Sequence, residues 1–310
     1  MLLKRRAYFF CSILKEVPTN RLQKRSIMNI FVGYIVITTM HPQIGATGQT
    51  NHTKQVQIKT QYAMTDNKIV IIPTFNEIEN IERIIRKVFS LDGEYHILVI
   101  DDGSPDGTAS TVKDLQQEFP TRLFLIERSG KQGLGTAYLT GFRWALDHGY
   151  DFIFEMDADF SHNPDDLERL HQACLDGADL AIGSRYCDGV SVVNWPIGRI
   201  LMSYYASVYV RKMLNMKVYD CTAGFKCYRR IVLDTIDLDK VEMKGYGFQI
   251  EMKYTTKRLG FAIAEVPIIF INRKEGVSKM SSGIFGEAFW GVIKLLFRNI
   301  TPREGAPKVL

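Results

Sequence analysis

The chain has 310 residues, 46% of them hydrophobic and 24% charged, which suits one large globular domain, alone or with appendages, and excludes a disordered chain. The formal net charge of +5 is too mild to point to nucleic acid and is compatible with anionic ligands or an anionic membrane face. The five cysteines (Cys11, Cys174, Cys187, Cys221 and Cys227) form no CxxC pair, which argues against a zinc site or a disulfide framework. They read as small core residues in a reducing compartment.

The first 65 residues differ from the rest. Residues 1–26 are basic, and an apolar run, "IMNIFVGYIVITTM" (Ile27 to Met40), follows. Its length is below the roughly 20 residues of a membrane span. Three readings fit: a cleaved signal, a weak membrane anchor, or a true start near Met64. The third is favoured, because a regular βα pattern begins directly after Met64. A domain spanning 66–283 is expected, with a separate helix and tail over 284–310.

From Lys68 apolar strands alternate with helices. "KIVIIP" leads to a helix with Ile78, Ile81, Ile84, Ile85 and Val88 on one stripe. Asn76 is expected to cap that helix, with Glu79 as its capping-box partner. "HILVID" leads to a helix whose start Asp106 or Thr108 caps. "RLFLIE" leads to a helix closed by Gly149. "FIFEMD" leads to a helix whose first turn takes Asp165 and Asp166. "LAIGSRY" is the fifth strand. The pattern predicts an α/β fold: a mostly parallel sheet with helices on both faces and ligands at the strands' carboxyl ends. After Tyr186 the alternation breaks: a helical stretch over 198–214 leads to "DCTAGFKCYRR", then "GYGFQIEMKYTTKRLG", then one strand, "FAIAEVPIIFI".

The unusual residues fall at the strand ends. Asp157 and Asp159 are one residue apart, a spacing at which two carboxylates can share a divalent cation; solvated loop acids are the simpler alternative. Asp101 and Asp102 end the second strand, where carboxylates can accept hydrogen bonds from a nucleobase or ribose. Pro73 and Phe75 are not explained by helix capping, whereas Glu77 can be a first-turn acid. "RSGKQGLGTA" holds Lys131 but departs from both GxxxxGK[ST] and GxGxxG, so phosphate contact there stays open. Arg185, Arg199, Arg273 and Lys279 are scattered cations, and Arg199 and Ser203 share a helix face; as a group they can bind a phosphate. His162 reads as a loop residue. "IFGEAFWGVIKLLFRNI" (Ile284 to Ile300) is nearly all apolar, with Glu287, Gly291, Lys294 and Arg298 on a narrow polar stripe. It suits a helix lying in a membrane interface or on a partner, and a core helix is the alternative.

In order, "PTFNE", "DDGSPDGT", "GLGTA", "MDADFSH", "GSRY", "GR" and "GYGFQIE" resemble the family 2 inverting glycosyltransferases of GT-A fold, and within them the dolichol- or polyprenol-phosphate mannosyltransferases. The match runs from about Lys68 to Ser282. The resemblance implies transfer of mannose from GDP-mannose to a polyprenyl phosphate with inversion; UDP-glucose or another nucleotide sugar is the alternative donor. It implies that Pro73, Phe75 and Glu77 line the nucleoside pocket, that Asp101 or Asp102 holds base or ribose, and that Lys131 contacts the donor. Asp157 and Asp159 would chelate Mg²⁺ or Mn²⁺, with Ser161 where the family often has Gln. Arg185, Arg199, Ser203, Arg273 and Lys279 would cradle the lipid phosphate, and Asp159 and Arg185 would act in catalysis. "GYGFQIE" replaces the QxxRW of processive relatives, which argues against a polysaccharide synthase. Peripheral attachment at the cytoplasmic face of a membrane is the expected location, with no nucleic-acid partner.

Overall fold

A computed structural model describes residues 66–243, 245–272 and 283–307. The apolar run at Ile27 to Met40, Arg273 and Lys279 lie outside the described residues, as does the side chain of Glu287.

Four parallel strands form one half of the sheet, in the order β3-β2-β1-β4: β1 (Lys68–Thr74), β2 (His96–Asp101), β3 (Leu123–Glu127) and β4 (Phe152–Glu155). Successive strands are joined by α1 (Ile81–Phe89), α2 (Thr108–Glu118) and α3 (Leu134–Asp147). Side chains alternate across a strand, so Ile69 and Ile71 enter one core and Val70 and Ile72 the other. Both faces are covered, which is why the strands read as unbroken apolar runs.

The second half departs from simple alternation. α4 (Asp166–Leu175) leads to β5 (Leu180–Ser184), but β5 does not pair with β4. β7 (Lys226–Arg229), from within "DCTAGFKCYRR", enters between them antiparallel to both. β8 (Ile263–Pro267) then pairs parallel with β5 and completes a seven-stranded sheet, β3-β2-β1-β4-β7-β5-β8. The single strand expected over "FAIAEVPIIFI" is two. After β8 the chain leaves the sheet, and β9 (Phe270–Ile271) pairs with β6 (Val192–Val193) in a separate ribbon. The described residues also include the α-helices α5 (Ile197–Met213), α6 (Arg230–Thr235), α7 (Gly245–Arg258) and α8 (Gly283–Phe297), with a short 3-10 helix at Leu238–Lys240.

The start of α1 is corrected. The helix begins at Ile81 after Asn80, and Asn76 has a left-handed φ of 57°. The backbone N–H groups of Asn76 and Ile78 donate to Ser104 Oγ (2.9 Å) and Asp106 Oδ2 (3.1 Å), so this segment is a loop braced on the next one. Ile78 is therefore exposed rather than on the apolar stripe. Asp106 does secure α2: its Oδ1 accepts the Thr108 N–H (3.0 Å) and hydroxyl (2.6 Å). Burial pushes the Asp106 carboxyl up, but these bonds outweigh it and hold it below the ordinary range.

The polar stripe of α8 is partly drawn onto the domain. Lys294 pairs with Glu242 at 2.5 Å, and Arg298, just past the helix end, pairs with the buried Glu251. Val292 and Leu295 join the core. Trp290 and Phe297 point outward, 68% and 81% exposed. Gly291 packs against Met243 and Arg298 docks on Glu251, whereas Lys294 makes its pair with Glu242 at the surface.

Candidate active site

Because β1, β2, β3, β4 and β5 run the same way, their carboxyl ends open on one edge of the sheet. The segment after β4 carries the acid pair. Phe160 takes a left-handed φ of 57°, costly for an aromatic residue. That reversal brings the Ser161 N–H to Asp159 Oδ1 (3.0 Å) and tucks His162 under Asp157, whose N–H donates to His162 Nδ1 at 3.2 Å. His162 is wholly enclosed: its ring stacks on Phe225 (4.9 Å) and meets Phe270 edge-on (5.5 Å). Burial pushes its pKa down to about 4; Asp159 pulls the other way, and Arg185 reinforces the depression. The imidazole is thus neutral, with Nδ1 as acceptor, and it holds the loop's shape instead of lying loose within it.

Asp157 and Asp159 are each half-buried, while Ser161 is buried. Among the described residues no cluster of three or more His, Cys, Asp and Glu side chains forms a cation cage. Two oxygen ligands on an open edge nevertheless fit a hard cation that completes its shell from water and ligand phosphate, as Mg²⁺ commonly does.

The ends of β1, β2 and β3 form the neighbouring wall. Asp101 is committed to its own loop: Oδ1 accepts from Thr74 Oγ1 (2.8 Å) and Ser104 Oγ (2.6 Å), and Oδ2 from the Ser104 N–H (2.8 Å). Asp102 pairs with Arg128, Nε to Oδ1 at 2.6 Å, and Arg128 also donates to Thr136 Oγ1 at 2.9 Å. Arg128 thus ties the β2 end to the start of α3, a role sequence reading missed. Pro73, Phe75 and Glu77 are half-buried along this wall. Lys131 is exposed, with its ammonium 5.3 Å from the Phe75 ring centre. The Glu77 N–H donates to Thr108 Oγ1 at 3.1 Å, so Glu77 belongs to the β1 loop and not to the first turn of α1.

The cations are organised by a residue that sequence reading also missed. Arg185 follows β5 and is buried against Asp220: Nε to Oδ2 at 2.6 Å, Nη2 to Oδ1 at 2.6 Å, with its own N–H to Oδ2 at 3.0 Å. Burial pushes the Asp220 carboxyl up, and Arg185 overrides it, leaving it below the ordinary range. Thr222 Oγ1 accepts a further bond from Nη2 at 2.9 Å. Trp195 links the two arginines, its ring 5.5 Å from Arg185 and 4.0 Å from Arg199. Arg199 also donates to Asn272 Oδ1 at 3.1 Å. Ser203, one turn along α5, lies beside the Tyr186 hydroxyl. Asp157, Arg185 and Arg199 all line one cleft, with Tyr246 and Gln249 of α7 on its wall.

Beneath the cleft is a buried polar spine. Glu155 and Lys226 face each other across β4 and β7, with Nζ 2.8 Å from Oε1 and both side chains fully enclosed. Gln249 Nε2 donates to Glu155 Oε2 at 2.8 Å. Lys253 donates to the carbonyls of Cys221 (3.1 Å) and Ala223 (2.6 Å), bracing the segment that carries Asp220 and Thr222.

A mostly parallel sheet with acids at one strand end, cations beyond and a cleft between them defines the GT-A class of glycosyltransferase. Comparison with known proteins agrees. Residues 69–237 match the model of the family described as "Glycosyl transferase family 2". The polyprenol monophosphomannose synthase of Mycolicibacterium smegmatis is 48% identical over 233 residues, 74% of this chain and 88% of that protein. The undecaprenyl-phosphate mannosyltransferase of Micrococcus luteus is 47% identical over 226 residues, 73% of this chain and 92% of that protein. Among solved structures, glucosyl-3-phosphoglycerate synthase from Mycobacterium tuberculosis with Mn²⁺, UDP and glucosyl-3-phosphoglycerate aligns at TM-score 0.54 and 20% identity, covering 86% of this chain and 88% of that one. The same enzyme with Mn²⁺, UDP-glucose and phosphoglyceric acid aligns at TM-score 0.57 and 18% identity, covering 86% and 87%. These structures share the fold. The chain belongs to glycosyl transferase family 2 and is a glycosyltransferase.

Proposed function

We propose that this enzyme transfers mannose from GDP-mannose to a polyprenyl phosphate with inversion, giving polyprenyl-phosphate mannose. The observation that carries the reading is the shared cleft, which Asp157 lines together with Arg185 and Arg199. The names of the two bacterial relatives support the sugar and the acceptor.

Asp157 and Asp159 would hold Mg²⁺ or Mn²⁺, which would supply positive charge to the donor diphosphate. Ser161 braces Asp159 through its backbone N–H. Phe75, with Pro73, Glu77 and Lys131, receives the nucleoside, and Arg128 fixes Asp102 beside it. Arg199 and Ser203, with Arg185, hold the acceptor phosphate. Arg185 spends two of its nitrogens on Asp220 and Thr222, so it is held rigid before the ligand arrives and reorganises little. Arg273 and Lys279, outside the described residues, are assigned to the same phosphate by the family resemblance alone. A phosphate monoester's second pKa is about 6, so the attacking oxygen is already ionised near pH 7 and needs no general base. His162, buried and neutral, shapes the loop and takes no proton.

The lipid acceptor requires a surface near the cleft. Among the described residues no helix is long and apolar enough to cross a membrane. The outward faces of α5 and α8 carry Ile197, Leu201, Met202, Trp290 and Phe297, all exposed, and the two helices touch through stacked Tyr209 and Phe289 rings at 5.0 Å. This face lies against the bilayer at its cytoplasmic side, bringing the α5 end that bears Arg199 to the lipid phosphates. The test is direct. The protein, with Mg²⁺ and polyprenyl phosphate, is supplied with radiolabelled GDP-mannose or UDP-glucose. Label entering the organic phase from GDP-mannose is expected; no label from either donor refutes the reading.

A further inference from the structure

The side chain of Gln249 is poised for a ligand that the fold itself does not supply. It lies on the cleft wall, 2% exposed. Its Nε2 donates to Oε2 of Glu155, a fully enclosed side chain whose Oε1 already receives Lys226 Nζ and the Tyr228 hydroxyl. That fixes the amide: the NH₂ group faces Glu155 and Oε1 faces away. Oε1 is buried and has no hydrogen-bond partner among the described residues. Natural proteins rarely leave such an acceptor unpaired, because its desolvation is not repaid.

Gly224 gives a second, independent sign. A Cβ there would stand 3.5 Å from Gln249 Nε2 and 3.9 Å from His162 Cε1, ordinary van der Waals contact, and the backbone is not left-handed. Neither strain nor crowding calls for glycine. Its effect is to keep a methyl-sized space open alongside the amide, nearest its nitrogen, and alongside the imidazole.

We propose that Gln249 and Gly224 form the niche for the sugar being transferred, with Gln249 Oε1 accepting a hydrogen bond from one of its hydroxyls. This rests on the glycosyl-transfer reading above. A carbonyl oxygen accepts from a hydroxyl but offers nothing to a phosphate oxygen, so the niche suits a neutral, hydroxylated group. The same cleft has Asp157 for the donor diphosphate and the arginines for the acceptor phosphate, and the transferred group must lie between the two. Gln249 is thereby a residue that selects the sugar.

Two variants test this. Gly224→Ala should fold with an unchanged or slightly raised thermal midpoint and bind GDP as the parent does, yet lose about 10- to 100-fold in kcat/KM for GDP-mannose. Gln249→Met should be compared with the parent on GDP-mannose and its monodeoxy-mannose analogues. The parent should discriminate against one analogue by about 10- to 100-fold, the scale of one buried hydrogen-bonding group left unpaired, and the variant should treat that analogue and mannose alike. A fully active Gly224→Ala overturns the proposal. So does a Gln249→Met that slows every donor by the same factor, since a structural role has no preference among hydroxyls. If the unmutated enzyme transfers from no nucleotide sugar, the glycosyl-transfer reading falls first and takes the niche with it.

Discussion

Changing Asp220 to Asn tests how the acceptor-side cation is held. Both partners are enclosed, with side-chain exposures of 7% for Arg185 and 0% for Asp220. The carboxylate receives two guanidinium nitrogens and the Arg185 backbone N–H. An amide offers one oxygen and turns an NH₂ toward the guanidinium, leaving a buried charge uncompensated. Breaking such a pair costs about 3–5 kcal/mol. At about 2–4 °C per kcal/mol for a domain of this size, the thermal midpoint should fall by about 6–20 °C. The double variant Arg185→Met with Asp220→Asn should be less destabilised than Asp220→Asn alone, since the orphan charge is gone. pH gives a second readout. Asp220 is held below the ordinary carboxyl value, so its stabilisation is complete above the unfolded value near about 4 and is lost as pH falls through the folded value. The stability gap between parent and Asp220→Asn, from urea titrations, should therefore be constant from pH 8 to 5 and shrink below pH 4. A midpoint change under about 2 °C, or a gap that stays constant into acid, would refute the assignment.

Asp157→Ala and Asp159→Ala should each lower metal-dependent transfer by about 100-fold or more, the scale of losing electrostatic stabilisation of a leaving group, and weaken Mn²⁺ binding in parallel; unchanged Mn²⁺ affinity in both would sink the metal assignment. Trp290→Ser with Phe297→Ser should leave the thermal midpoint within a degree or two, because both side chains point outward, yet cut binding to anionic vesicles by about tenfold or more. Equal vesicle binding would exclude α8 as the contact. Lys253 is fully buried, and burial pushes its pKa down to about 7, so between pH 7 and 10 the unfolded chain binds more protons than the folded one. Stability of the parent relative to Lys253→Met should then rise with pH in that window, by at most about 1.4 kcal/mol per unit; a flat difference would mean that the carbonyls of Cys221 and Ala223 hold the ammonium charged.

Much of the fold was legible because β1 to β5 and α1 to α4 are local events. Each is a short apolar run followed by a helical stripe, and the parallel sheet follows from their alternation. The acids at the end of β4 and the cation after β5 were visible as polar residues where an apolar run stops. What the sequence hid is non-local. β7 is four residues in a polar stretch and is a strand only because β4 and β5 leave a slot for it. Asp220 is 35 positions from the arginine it serves, and nothing near it marks it as buried. α8 shows the same limit in reverse. Its stripe was plain, but that Arg298 is drawn onto the domain while Lys294 stays at the surface depends on Glu251 and Glu242, which lie about 50 residues earlier in the chain.

The buried spine beneath the cleft gains its meaning from that late strand. Glu155 ends a strand that is otherwise apolar, and Lys226 opens the strand that pairs with it; they meet directly across the antiparallel ladder. On stability alone the pair is a poor bargain, since well-packed apolar residues in its place would often do as well. What they could not do is orient an amide. With Lys226 Nζ and the Tyr228 hydroxyl on Glu155 Oε1, Oε2 takes the Gln249 NH₂ group, and the amide oxygen is directed away from the spine. Lys253 fixes the carbonyls of Cys221 and Ala223 on either side of Thr222, so Asp220, Arg185 and Gly224 are held by the same buried hydrogen bonds. The polar core therefore specifies the cleft: it sets the direction of one neutral acceptor and one cation before any substrate binds, and this is the pre-organisation that transfer between two phosphates requires.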